Sequence, residues 1–126
     1  MDSSALVEAL TTTGRGDDVL DAIELSVVLA PDIVDAEVMH ALKGLERGEV
    51  VPRDLVELAV ARLLTGPVRR VSSHSLAHRA WALRHNLSIY DALYVALATQ
   101  HDATLLTADR GMATAAMDVG VTVTLV

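Results

Sequence analysis

Cysteine is absent from the chain, which excludes disulfides and thiolate metal sites and suits a reducing, cytoplasmic setting. The aromatics amount to one tryptophan and two tyrosines, so the sequence offers little for stacking against nucleobases. Lysine is nearly absent too: Lys43 stands alone, and arginines make up the rest of 10 basic residues set against 17 acidic ones. The resulting formal charge of −7 ordinarily counts against a nucleic-acid partner. Clustered carboxylates filled by divalent cations weaken that objection, because the local charge is then largely cancelled. No apolar run approaches the roughly eighteen residues of a membrane span. Nor does a basic segment lead an apolar one at the N-terminus, as a secretory signal would.

What is present is a hydrophobic fraction of 52% in 126 residues, enough for one domain over 1–126 with a real core. No internal repeat, linker or low-complexity tract divides it. The stretch Ser88 to Ala98 is apolar on every side and carries a single acid, Asp91. A helix that is hydrophobic all round belongs inside. A lone carboxylate there is costly unless it is paired, hydrogen-bonded or bound to a metal.

In chain order, Ser3 or Ser4 is expected to cap a helix through Ala5, Leu6, Ala9 and Leu10, with Asp2 at the positive end of its dipole. Thr11 to Gly16 is a polar break, and Asp17 to Leu25 has the spacing of a surface helix with an acidic face. Ser26 to Ala30 is a β-branched run that predicts a buried parallel strand. Pro31 is expected to open a long helix, with Asp32 in its first turn and Gly48 closing it. Its apolar stripe is Val34, Val38, Leu42 and Leu45, and Asp35 is free to face water. Glu37 falls on the margin of that stripe, a second acid out of place.

Pro52 starts a helix through Leu55, Leu58, Ala59, Arg62 and Leu63, ended by Gly66 and Pro67. Val68 to Val71 is a candidate short strand in spite of Arg69 and Arg70. A helix from Ser72 or Ser73 to about Asn86 follows, with Leu76, Ala80, Leu83 and Leu87 inward. His74 and His78 are four apart, but without a third ligand they read as surface residues. Trp81 is assigned to core or interface packing. Beyond the Asp91 helix, Ala103 to Thr107 reads as a buried strand and Met112 to Val119 as a short helix. Val121 to Val126 is the last strand. This alternation predicts an α/β fold with an open parallel sheet flanked by helices.

Ligands of such sheets bind outside the carboxyl ends of the strands. Asp109 falls at one such end, and Asp2 would at another if a strand preceded it. Glu37 and Asp91 come from helices able to line the same rim. Four oxygen ligands with no histidine or cysteine suit Mg²⁺ or Mn²⁺ rather than Zn²⁺. Paired ions of this kind activate water and stabilise the leaving oxygen in phosphodiester cleavage.

The blocks Asp2–Val7, Asp35–Leu42, Tyr90–Ala98 and Leu105–Asp109, in this order and spacing, resemble the PIN domain, and within it the VapC toxins of bacterial VapBC toxin–antitoxin systems. The resemblance covers essentially the whole chain. It implies a metal-dependent endoribonuclease, usually a homodimer, inhibited by a VapB-type antitoxin bound across the active-site groove. It also implies that Asp2, Glu37, Asp91 and Asp109 are the metal-site acids and that Ser4 supports the first of them. Family members open with a short apolar strand ending in that first aspartate. Only Met1 precedes Asp2 here, so the first strand is expected to be truncated or missing. For RNA phosphates the candidates are Arg84, ahead of the Asp91 helix, and Arg110, beside Asp109. With so few aromatics, recognition is expected to rest on RNA shape and backbone.

Three rivals are weaker. A phosphoacceptor receiver domain needs a lysine near a late strand, and Lys43 lies in a helix. A phosphatase with an aspartate nucleophile needs a second acid two residues on, where this chain has Ser4. A catalytically silent PIN fold retained for dimerisation and antitoxin capture is the alternative that the short N-terminus keeps open.

Overall fold

A computed structural model describes residues 1–11 and 27–126; the expected break at 11–16 and the acidic helix at 17–25 fall almost wholly outside the described residues. The described elements are α1 (Ser3–Thr11), β1 (Val28–Pro31), α2 (Val34–Arg47), α3 (Arg53–Thr65), β2 (Val68–Val71) and α4 (Ser73–Ala82). They continue with α5 (Ile89–His101), β3 (Leu105–Thr107), α6 (Arg110–Asp118) and β4 (Val123–Leu125). The α/β architecture with parallel strands is as the sequence predicts.

β1 pairs in parallel with β2, and β3 in parallel with β4. Met1 and Asp2 stand between the two pairs. The main-chain nitrogen of Met1 donates to the Leu29 carbonyl at 3.1 Å, and the Asp2 N–H to the Leu106 carbonyl at 2.9 Å. Successive donors of an extended chain point to opposite sides. These two residues therefore lie between the two ribbons in the manner of a central strand. One hydrogen bond on each side joins what are otherwise separate ribbons.

α5 is the axis of the core. Seven consecutive residues, Ala92 to Ala98, are buried. Tyr94, Val95 and Ala98 face the larger cluster, built from Val34, Val38 and Leu42 of α2 and Val56, Ala59 and Leu63 of α3. Ala92, Leu93, Ala96 and Leu97 face a smaller cluster with Leu76 and Ala80 of α4. The helical period splits one apolar segment between two partners.

Several local expectations shift. Pro31 ends β1, where its missing N–H costs nothing, and helix α2 begins only at Val34. Asp32 leaves the α2 first turn and caps α4 instead, accepting from the Ser73 N–H at 3.1 Å and from the Ser73 hydroxyl. Asp35 does not face water. It takes Nη2 of Arg70 at 2.7 Å and Nε at 3.2 Å, and Arg70 also donates to the carbonyls of Leu63 and Val68 at 2.6 Å. An arginine inside β2 is tolerated because its guanidinium is satisfied on every side. On α3 the inward stripe is Val56, Ala59 and Leu63, while Leu55 and Leu58 are exposed. α4 ends at Ala82 rather than Asn86, and Trp81 is 60% exposed rather than in the core.

Candidate active site

Asp2 is only 3% exposed. Its Oδ1 accepts from the Ala5 N–H and the Ser4 hydroxyl, both at 2.9 Å, and its Oδ2 from the Thr107 hydroxyl at 2.5 Å. The capping role expected of Ser3 or Ser4 thus belongs to Asp2, with Ser4 as its supporter. Ser4 in turn accepts from the Ala108 N–H at 2.9 Å. A buried carboxylate with this many donors is affordable, because each donor replaces a lost water.

Glu37 lies across from it, half-buried at the edge of α2. Its Oε2 accepts from the Tyr94 hydroxyl at 2.5 Å. Burial raises the Glu37 pKa above the usual carboxylate value, and the negative charges of Asp91 and Asp2 push in the same direction. The Tyr94 pKa is also raised, by burial first and then by its bond to Glu37. Three of the four expected acids therefore feel one another.

Asp91 sits in the first turn of α5. Its N–H donates to Ser88 Oγ at 3.1 Å, and the Ser88 hydroxyl donates back to its Oδ2 at 2.8 Å. It is partly exposed, at the mouth of the core rather than inside it. Asp109 caps α6 through Oδ1 and the Met112 N–H at 3.0 Å. Its own N–H donates to Thr107 Oγ1 at 3.0 Å, so Thr107 links Asp109 to Asp2.

All four acids thus occupy the first turn or cap of a helix, namely α1, α2, α5 and α6, where the dipole favours negative charge. They do not yet converge: among the described residues no three Asp, Glu or His side chains meet as a ready-made metal cage. Asp2 and Asp109 are turned toward their caps, and Asp91 toward Ser88. The donor chemistry still fits a hard divalent cation. All donors are carboxylate oxygens, and the ion pairs of the described residues, Arg53–Glu46 and Arg70–Asp35, involve none of them. Among the described residues no side-chain cation pairs with these acids, and the terminal ammonium of Met1 lies close enough to Asp2 to feel its charge.

Residues 1–117 match the family profile of the PIN domain. The chain belongs to the PIN-domain family. Ribonuclease VapC1 of Mycobacterium tuberculosis is 38% identical over 117 residues, covering 91% of this PIN domain and 88% of the relative. Ribonuclease VapC3 of the same species is 36% identical over 116 residues, with 91% and 85% covered. Ribonuclease VapC12, also from M. tuberculosis, is 33% identical over 118 residues, with 90% and 88% covered. The VapC resemblance read from the four acidic blocks is thereby borne out.

Thr107 and Tyr94 are the parts of this PIN domain's site that sequence reasoning passed over. Thr107 is fully buried, and its only signal was a hydroxyl at the end of an apolar strand, two residues before Asp109. Tyr94 carried the signal of a phenol one helical turn after Asp91. Of the two arginines, Arg110 begins α6 and borders a shallow apolar depression with Ala113, Met117 and Leu125. Arg84 lies with its guanidinium 4.7 Å from the centre of the Trp81 ring. No helix among the described residues is long and apolar enough to cross a membrane.

Proposed function

We propose that this PIN domain is a toxin of the VapC type, a metal-dependent endoribonuclease that hydrolyses RNA phosphodiesters and is neutralised by a VapB-type antitoxin. The observation that carries the reading is the half-buried Glu37 carboxyl, bonded to Tyr94 and close enough to Asp91 and Asp2 to be raised by their charges. The names of the relatives, ribonucleases over nine-tenths of the chain, supply the substrate class.

Asp2, Glu37, Asp91 and Asp109 would hold Mg²⁺, or Mn²⁺ in its place. When bound, such an ion supplies water activation and stabilisation of the leaving oxygen. Thr107 and Ser4 fix the Asp2 carboxylate, and Thr107 also orients the Asp109 main chain. Tyr94 fixes Oε2 of Glu37. Held in this way, the Glu37 carboxylate would serve as a ligand of the ion or as a proton acceptor for the attacking water. A homodimer and an antitoxin groove, the latter along the apolar residues left exposed on α3 such as Leu58 and Leu64, complete the proposal.

The separation of the four carboxylates favours one alternative, a silent PIN fold kept for antitoxin capture. RNA cleavage by the purified chain with Mg²⁺ or Mn²⁺, with EDTA, and by an Asp91→Asn protein prepared in parallel decides between them. Metal-dependent cutting lost in the variant establishes the enzyme. Equal cutting by both preparations marks a contaminating nuclease, and no cutting by either favours the silent fold.

A further inference from the structure

The charge of the chain is unevenly spread. Between Glu57 and Asp91 there is no acidic residue, yet this stretch holds half of the 10 basic residues and His74, His78 and His85. In a chain with net charge −7, this is the one long basic segment. It runs from the second half of α3 through β2 and α4 to the start of α5, so it ends at the helix N-terminus that carries Asp91.

The same segment presents the exposed aromatics. Trp81 is 60% exposed and Tyr90 62%. Trp81 shares a shallow apolar groove of about 390 Å³ with Ile89 and Leu93 at the start of α5, on the helix face turned away from Asp91. Arg84 stacks on the indole at 4.7 Å and is anchored by Nη1 to the Trp81 carbonyl at 2.9 Å. Arg79, Arg84 and His85 are exposed and have no carboxylate partner among the described residues. A large indole held open to solvent costs free energy unless something covers it. A guanidinium stacked on it without a counter-ion selects an anionic, planar occupant.

We propose that the α4–α5 corner is a subsite for single-stranded RNA, in which Trp81 stacks an unpaired base and Arg84 holds the adjoining phosphate. The proposal rests on the ribonuclease reading and adds to it where the substrate is gripped and in what form. It also replaces the expectation that sparse aromatics leave recognition to RNA shape. Few aromatics suffice when two are exposed on the basic segment. A base-paired helix buries its base faces, so the subsite favours an unpaired segment. Stacking is tolerant of base identity, because every base has a π-face.

Trp81 is the only tryptophan, so its fluorescence reports on this corner alone. The full chain carrying Asp91→Asn, which suppresses turnover, is titrated with a short oligouridylate and with a blunt RNA duplex of equal length. Saturable quenching by the oligouridylate, and much less by the duplex, is expected. Affinity measured separately by anisotropy of labelled RNA falls about tenfold in Trp81→Leu, is largely kept in Trp81→Phe, and has a salt dependence shallower by about one in Arg84→Ala. Thermal melts confirm that these surface variants fold. Unchanged affinity in Trp81→Leu with silent fluorescence overturns the subsite while leaving the nuclease reading to its own cleavage test. Absence of any RNA binding by a chain that also fails to cleave removes both. A blue shift that depends on protein concentration without RNA assigns the face to a protein partner and overturns the proposal.

Discussion

The Thr107 hydroxyl donates to Oδ2 of Asp2 at 2.5 Å, joining residues 105 positions apart. Thr107 is wholly buried and Asp2 nearly so. The same hydroxyl oxygen accepts from the Asp109 N–H, so one atom ties Asp2, β3 and the start of α6 together. Thr107→Val keeps the shape but leaves a buried carboxylate oxygen short of a donor and an amide without an acceptor. We expect a loss of about 1–3 kcal/mol in urea unfolding. Thr107→Ser should recover most of it. Equal midpoints for the Thr and Val proteins would exclude this tie as a source of stability.

The parts of this fold legible in the sequence are those with local causes. The Val34, Val38 and Leu42 stripe has a helical period, and all three are fully buried. Gly48 and Gly66 stand at their helix ends as expected, although neither is left-handed and Glu49 takes that conformation after α2. α3 is legible as a helix but not in its facing, because it has two apolar faces, and packing against α1 and α2 decides that Val56 turns in and Leu55 out. Asp32, Asp35 and Arg70 were misplaced for a similar reason: their partners lie 41 and 35 residues away. The four acids could be picked out as charges in the wrong places. Their hydroxyl partners could not, since a threonine in a strand and a tyrosine in a helix need no explanation. A lone tryptophan looks like core until the structure shows it open to solvent.

Asp32 makes acid sensitivity testable. The Ser73 hydroxyl and N–H hold its pKa below the ordinary aspartate value of 3.8. Between the lowered folded value and 3.8 the unfolded chain binds more protons than the folded one, so stability drops as pH falls through that window. Above 3.8 the contribution is fully present. Ser73→Ala removes the larger hydrogen bond and should flatten the acid limb of the stability curve. The effect is small, because Asp32 is well hydrated. A limb of unchanged slope would mean that other carboxylates dominate acid unfolding.

Metal should act on stability with opposite signs in two conditions. Without a cation, Glu37 sits beside the charges of Asp2 and Asp91, so Glu37→Gln relieves repulsion and raises the melting temperature. With saturating Mg²⁺ or Mn²⁺, the parent gains about 2.7 kcal/mol at 100 times its Kd, or several degrees, and the variant gains less. The two melting curves therefore exchange order as metal is added. A parent whose melt does not move across millimolar metal would refute cation binding by these acids.

Tyr94→Phe tests whether the Glu37 carboxylate must be held to work. The substitution removes one hydroxyl from a buried ring and leaves the packing of α5 against α2 in place. Its stability cost should be modest, about 1 kcal/mol, because Glu37 is only half-buried and can rehydrate. The catalytic cost should exceed it. A carboxylate free to rotate spends less time in its working orientation, and misplacement by about 1 Å is enough to cost on the order of 100-fold. We therefore expect a fall in kcat of about tenfold or more at saturating metal, with the metal-induced rise in Tm retained. A fall in metal affinity with kcat unchanged would instead make Tyr94 a support for ion binding alone. Unchanged values of both would mean that the Tyr94–Glu37 bond belongs to folding and not to the reaction.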